Sequence, residues 1–179
     1  ASHSLASRFD DAQPKAIVSA DAGMRGGKAV PYKHLLDEAI HLSTHKPSRV
    51  IMVNRGLAEL SPVAGRDVDY ASERAKVMDV QVPCEWVNSD HPSYILYTSG
   101  TTGKPKGVQR DTAGYAVALA ASMRHIYMSS PGETYFSTSD IGWVVGHSYI
   151  IYGPLINGMA TIMYEGLPLS LIHISEPTR

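Results

Sequence analysis

Cysteine is almost missing from the 179 residues: Cys84 stands alone. That excludes an internal disulfide and a cysteine-rich zinc site, and it fits a reducing compartment. No local Cys/His signature surrounds Cys84, so it reads as a small buried or loop residue rather than a nucleophile. An excess of positive charge is missing too. Sixteen lysines and arginines face seventeen aspartates and glutamates, a formal net charge of −1. No general basic field exists to hold a nucleic-acid backbone or an anionic membrane, and any anion site must be local. A long apolar run is also lacking. The most apolar stretch, residues 143–164, is broken by Gly146, His147, Pro154 and Asn157, and it fails the need of a membrane span for about 20 predominantly apolar residues. Ala1-Ser2-His3-Ser4 holds no basic stretch leading into an apolar one, so no secretory or transit leader is expected. The expectation is a soluble chain with neither nucleic acid nor membrane as partner.

What is present is a globular balance, 44% apolar and 18% charged, in a length that suits about one domain. Residues 16–19 are a β-prone run, and the glycine-rich residues 21–28 read as a loop. Pro31 suits the first turn of a helix with an apolar face of Leu35, Leu36, Ala39, Ile40 and Leu42, and Pro47 lies just past its end. Residues 50–53 predict a buried strand, 54–90 a long connection holding a short helix at 70–77, and 94–97 another strand. Alanine-rich residues 112–127 predict a helix, followed by a strand at 134–138, a helix at 147–156 and a strand at 160–164. This alternation predicts the α/β class, a mainly parallel sheet covered by helices.

Chemistry concentrates in Tyr97-Thr98-Ser99-Gly100-Thr101-Thr102-Gly103-Lys104-Pro105-Lys106-Gly107, directly after a predicted strand. Glycines let backbone N–H groups approach a phosphate, hydroxyls add donors, and Lys104 and Lys106 add charge. A polyphosphate is the natural guest. A Walker-type loop would need serine or threonine after Gly-Lys at the mouth of a helix. Here Pro105 follows Lys104; it lacks an N–H and disfavours helical geometry before it. On the helix after Pro31, His34, Glu38, His41 and His45 share one face and invite a metal reading. That face lies opposite the leucines and the order is not His-Glu-x-x-His, so it reads as a solvated polar face.

Residues 97–108 resemble the phosphate-loop signature of the AMP-forming adenylating enzymes, the superfamily of acyl-CoA synthetases, luciferases and peptide-synthetase adenylation domains. Ser139-Asp140-Ile141-Gly142-Trp143-Val144-Val145-Gly146-His147-Ser148-Tyr149, with Tyr152-Gly153-Pro154-Leu155 and Tyr164-Glu165-Gly166, is similar to the short-chain acyl-CoA synthetases, and to the propionyl type before the acetyl type. Gly23-Met24-Arg25-Gly26-Gly27-Lys28 and Gly65-Arg66-Asp67 fall in order with that branch, so the resemblance covers residues 5–168.

The resemblance implies a two-step ligation using ATP with Mg2+ and coenzyme A as substrate: a short-chain carboxylate becomes an acyl-adenylate, and the thiol then displaces AMP. Thr98, Ser99, Gly100, Thr101, Thr102, Gly103, Lys104 and Lys106 would bind the ATP phosphates, with Lys106 the stronger of the lysines. Arg25, Gly26, Gly27 and Lys28 would receive the phosphorylated adenosine end of coenzyme A. Lys28 stands where acetyl enzymes carry arginine, keeping charge but losing bidentate geometry. Trp143, Val144 and Val145 would line the acyl pocket, with Val145 also near the coenzyme A channel and in place of a threonine. Taken alone, residues 25–28 would read as a solvated turn and the three apolar residues as core. The carboxylate nucleophile is already ionised, so His147 reads as positioning or structural.

The same resemblance implies that residues 1–168 are a partial AMP-binding domain, truncated at both ends. The family's magnesium-holding glutamate, ribose-gripping aspartate and C-terminal catalytic lysine are absent, and the chain by itself is expected to lack a complete catalytic site. Residues 169–179 depart from the family and resemble translated read-through of a transposase sequencing adapter, so they are set aside as a non-native tail. The expected location is the cytoplasm, or the mitochondrial matrix in a eukaryote. Two other functions stay open: a non-catalytic nucleotide- or coenzyme-A-binding remnant, and an adenylation domain loading a carrier protein. Arg25 to Lys28 and Gly146-His147-Ser148-Tyr149 argue against the second.

Overall fold

In the computed structural model, which describes residues 1–98 and 106–166, the chain divides into two units. One is Ala1–Cys84 with Tyr97–Lys106, the other Glu85–Leu96 with Gly107–Arg179.

The first unit opens with a helix, α1 (Ser2–Ala12), that the sequence reading left without an element. Ser2, Ala6 and Phe9 recur at helical spacing and are its buried face; Gln13, in the left-handed region at φ 46°, ends it before Pro14. Strand β1 (Ala16–Ala20) follows. The expected loop at 21–28 is instead part of a hairpin, β2 (Ala22–Arg25) and β3 (Lys28–Pro31), paired antiparallel. Pro31 therefore ends a strand opposite Ala22 rather than entering the helix, and α2 (Lys33–Leu42) starts two residues later. Its buried face is Leu36, Ala39 and Ile40, while Leu42 is exposed. Strand β4 (Arg49–Val53) runs parallel to β1 in the register Ile17 to Val50. A parallel pair needs a long crossover, and the hairpin plus α2 supply it. Inside the expected long connection, the short strand β5 (Asp67–Asp69) pairs parallel with β4, giving the order β1-β4-β5. Helix α3 (Tyr70–Ala75) follows, capped by Asp69, whose carboxylate accepts the Ser72 N–H at 2.8 Å. Ala6, Phe9, Leu36, Ala39, Ile40, Val50 and Met52 form one core between the helices and β4. Each large side chain buried there contributes about 1.5–3 kcal/mol.

Cys84 lies exposed in a stretch without regular structure, the loop alternative of its two readings.

Strand β6 (Pro92–Thr98) passes from the second unit into the first, and β7 (Lys106–Asp111), not expected from the sequence, pairs with it. The Ser93 hydroxyl reaches the Arg110 and Asp111 carbonyls and Thr98 the Lys106 carbonyl, so the two strands run antiparallel. The second unit continues with α4 (Ala113–His125), β8 (Thr134–Phe136), α5 (Val144–Gly146), a π-helical stretch (His147–Tyr152), α6 (Gly153–Ile156) and β9 (Ala160–Ile162). Strands β8 and β9 pair in parallel.

The helix expected at 147–156 is thus interrupted, for a reason carried by Pro154. In a continuous α-helix that ring would meet the Ile150 carbonyl and leave it without a donor. The wider π turn absorbs the conflict, and the Ile150 carbonyl accepts the Thr161 hydroxyl at 2.7 Å instead. Gly146 is required by packing: a methyl group there would run into the Asp140 carbonyl oxygen and Ile141 Cα.

Candidate functional site

Of the expected phosphate binders, Thr98 and Lys106 are described. Ser99, Gly100, Thr101, Thr102, Gly103 and Lys104 lie outside the described residues. Thr98 ends β6 and Lys106 opens β7, so the two stand at the foot of one hairpin; the Thr98 hydroxyl donates to the Lys106 carbonyl at 3.5 Å, and both residues are exposed. The residue before them is anchored to α1. Tyr97 Oη donates to the Asp11 carboxylate at 2.5 Å, and the Arg8 guanidinium lies 5.9 Å over the tyrosine ring. Burial and the Asp11 carboxylate push the Tyr97 pKa up to about 12, so the phenol stays protonated and keeps donating at neutral pH.

Arg25 and Lys28 are directly paired across β2 and β3, which puts the two cations on one face at the hairpin tip. Between them Gly26 and Gly27 have φ 57° and 75°, the two consecutive positive values that a two-residue hairpin turn demands. All four residues are exposed, and space is open where a Gly27 side chain would project. The expected turn of glycines framed by cations is therefore present, on a hairpin rather than a loop.

The base of that hairpin is fixed by Asp21, which the sequence reading did not single out. Its side chain is fully buried, and its carboxylate accepts the backbone N–H groups of Arg55 at 3.0 Å, Leu57 at 2.7 Å and Ala58 at 3.0 Å. Burial pushes the carboxyl up, but the N–H groups of Ala58, Leu57, Arg55 and Ala22 outweigh it and hold the pKa at about 2. The Asp21 N–H donates to the Val53 carbonyl, and the Asp21 carbonyl accepts from Tyr32. One aspartate thereby ties the ends of β1 and β4 to the hairpin. Arg55, Leu57 and Ala58 lie more than thirty residues away, so no local pattern could reveal their convergence on it.

The Gly65-Arg66-Asp67 motif resolves into an ionic network. Asp67, with its side chain 1% exposed, meets Arg66 Nε at 2.5 Å and Lys33 Nζ at 3.0 Å; Asp37 bridges the same two cations. These contacts fasten β5 to the first turn of α2 and offset the otherwise unfavourable placing of a lysine at a helix N-terminus.

In the second unit, Trp143 precedes α5 and Val144 and Val145 form its first turn. All three are exposed, Trp143 to 62%. The Asp140 carboxylate accepts the Gly142 N–H at 2.8 Å, and the Asp140 carbonyl accepts from Trp143. This turn presents Trp143 outward. His147 is half-buried, edge-on to Tyr94 at 5.7 Å between ring centroids. Among the described residues no three His, Cys, Asp or Glu converge to hold a metal. On the polar face of α2, Glu38 accepts the Ser2 hydroxyl at 2.6 Å; His45, expected on the same face, lies three residues beyond the end of the helix, where its ring pairs with the Pro14 carbonyl at 2.8 Å. The phosphate-loop foot and the Arg25–Lys28 hairpin thus belong to the first unit, and Trp143, Val144 and Val145 to the second. No helix among the described residues is long and apolar enough to cross a membrane.

Residues 1–176 match the family model of AMP-binding enzymes. The chain is 62% identical over 168 residues to a propionate-CoA ligase of Escherichia coli (strain K12), which covers 94% of the chain and 27% of the relative. It is 51% identical over 170 residues to the mitochondrial acyl-CoA synthetase short-chain family member 3 of Homo sapiens, covering 94% and 24%. Over 165 residues it is 47% identical to an acetyl-coenzyme A synthetase of Xanthobacter autotrophicus, covering 92% and 25%. The solved acetoacetyl-CoA synthetase from Streptomyces lividans shares the fold with a TM-score of 0.77 at 24% identity, over 93% of this chain and 25% of that one. The chain spans about a quarter of the length of these relatives.

Proposed function

The chain belongs to the AMP-binding enzyme family, and on that footing we propose that the whole protein ligates a short-chain carboxylate, propionate or acetate, to coenzyme A. The observation that carries the proposal is the likeness, along nearly the whole chain, to proteins named as ligases of that one substrate class. In the first step a carboxylate oxygen attacks the α-phosphorus of ATP and the bond to the bridging oxygen of pyrophosphate breaks. In the second, the coenzyme A thiolate attacks the acyl carbon and AMP leaves with the bonding pair. Both leaving groups are anions, which is the demand that a loop of hydroxyls, N–H groups and lysines meets. Mg2+ travels with ATP as a phosphate counter-ion; the described residues bring no metal cage together. The test is to incubate the whole protein with ATP, coenzyme A and acetate, propionate or butyrate. AMP, pyrophosphate and thioester should appear together, each dependent on the acid. Adenylate formed without any thioester would instead favour loading of a carrier, and coenzyme A or nucleotide binding without turnover would favour a non-catalytic module.

In this reading the Arg25–Lys28 tip takes the phosphates of coenzyme A. Arg25→Ala should raise the KM for coenzyme A about 10- to 100-fold, the worth of one charge-assisted contact, while the KM values for ATP and carboxylate stay within twofold. An unchanged coenzyme A KM would remove the hairpin from the site.

The reading also takes residues 1–168 as a partial adenylation domain and 169–179 as a non-native tail. Sequencing the parent DNA across the 168/169 junction, from a library made without transposase adapters, should give a reading frame that leaves the Leu169-Ser170-Leu171 sequence and continues into further adenylation-domain residues. A frame that reproduces residues 169–179 would refute the tail.

A further inference from the structure

Helix α4 and strand β6 grip the π-helical stretch of the second unit through side chains to which the proposed chemistry gives no part. The hydroxyls of Tyr115 on α4 and Ser148 share a hydrogen bond of 2.8 Å. Ser148 is 6% exposed, so without Tyr115 its hydroxyl would lose that partner in a dry setting. Tyr94 on β6 stands edge-on to Tyr115, with centroids 5.5 Å apart, and edge-on to His147, and it stacks on Tyr152 at 5.8 Å and 18°. The Arg110 guanidinium lies over the Tyr115 ring, 5.6 Å from its centroid. Three residues of the π-helical stretch, 147, 148 and 152, are therefore held from outside.

Ser148 follows Val144 by four residues and Val145 by three on one continuous helical segment. The backbone is unbroken across the junction of α5 with the π turn, the His147 N–H donating to the Trp143 carbonyl at 3.1 Å, so anchoring Ser148 also limits the rotation of the turn that carries Val144 and Val145. Resting on the proposed function, and on the family resemblance that would place Trp143, Val144 and Val145 along the acyl pocket, we propose that Tyr115 is a specificity-determining positioning residue. Its hydroxyl holds Ser148 and thereby sets the rotation that presents Val144 and Val145 to the alkyl tail of the carboxylate. A pocket that discriminates one methylene gains about 10- to 200-fold from a defined wall, and a wall free to rotate forfeits much of that.

The experiment compares the whole wild-type protein with Tyr115→Phe, Ser148→Ala and the double variant, each of which only deletes hydroxyls. The readouts are kcat/KM for acetate, propionate and butyrate, the KM for ATP, and hydrogen exchange of the amides of residues 147–152. Each single variant should flatten the chain-length preference about tenfold through the carboxylate KM, leave the ATP KM within twofold, and speed exchange in 147–152. The double variant should be no worse than either single one, because both remove the same bond. A selective wild type with an equally selective Tyr115→Phe overturns this role alone. So does a Tyr115→Phe that weakens ATP and carboxylate alike, which marks a general structural loss. A wild type forming no acyl-CoA from any of the three acids overturns the proposed function, and this role falls with it.

Discussion

Lys106→Ala is expected to lower kcat for acyl-adenylate formation about 10²- to 10³-fold, the usual cost of deleting one preorganised group that stabilises charge developing in a transition state. Lys106 is exposed at the start of β7, with its backbone held by Thr98 and with Tyr97, one residue earlier, tied to α1. The cation is thus carried by a braced strand end while its side chain stays available to solvent and ligand. Because it is exposed, its removal should alter folding stability by no more than about 0.5 kcal/mol, so lost activity would report chemistry rather than unfolding. Lys106→Arg keeps the charge but changes its shape and reach, and should recover part of the rate. Carboxylate-dependent pyrophosphate release at saturating ATP measures the effect. A rise in the ATP KM with kcat intact would mean that Lys106 binds ground and transition states equally. A loss below about threefold would place it outside the phosphate site.

Asp67→Asn is expected to destabilise the fold by about 3 kcal/mol, the low end for breaking a buried ion pair. The low end applies because Arg66 and Asp37 keep partial access to water, at 19% and 35% side-chain exposure, whereas Lys33 and Asp67 are at 7% and 1%. The loss comes chiefly from leaving Lys33 buried with half its counter-charge gone. Burial pushes the Asp67 carboxyl up, but the Arg66 guanidinium, the Val63 N–H and Lys33 together hold its pKa down at about 2, against an ordinary 3.8. The sign of the pH dependence follows. A carboxyl whose pKa is lower in the folded than in the unfolded state contributes its full stability above about pH 4 and loses it as pH falls towards 2. The gap between wild type and Asp67→Asn should therefore be constant near neutrality and narrow between about pH 4 and pH 2. Urea unfolding across that range measures it. A gap that stays constant down to pH 2 would show that Asp67 titrates alike in both states.

The relation between sequence and structure differs from element to element. Residues 50–53, four apolar side chains in a row, were legible as a buried strand, and β4 is the central strand of its sheet. The spacing of Leu36, Ala39 and Ile40 was enough for α2. Strand β5 was not legible: Asp67, Val68 and Asp69 show no apolar alternation and become a strand only because β4 offers an edge and Lys33 a counter-charge. The break in the helix at 147–156 had a signal in Pro154. Its consequence, a π turn with the Ile150 carbonyl passed to Thr161, depended on a strand eleven residues further on. Among candidate site residues, Arg25, Gly26, Gly27 and Lys28 were found by type and spacing while their backbone was misread. Two positive-φ glycines serve a loop and a hairpin turn equally, and only the pairing of Ala22 with Pro31 separates the two.

By itself the sequence determined the family resemblance, the alternation of strands and helices, and the kinds of group gathered at Thr98 and Lys106 and at Arg25 and Lys28. Those properties live in short stretches, where residue type and spacing directly limit backbone conformation and local charge. Tertiary structure alone decided that Asp21 ties the hairpin base to Arg55, Leu57 and Ala58, that Asp67 meets Lys33, and that Tyr115 meets Ser148. Each of those contacts joins residues more than thirty positions apart. Partners that distant are chosen by which surfaces the packed helices and strands bring together, and no local pattern encodes that choice.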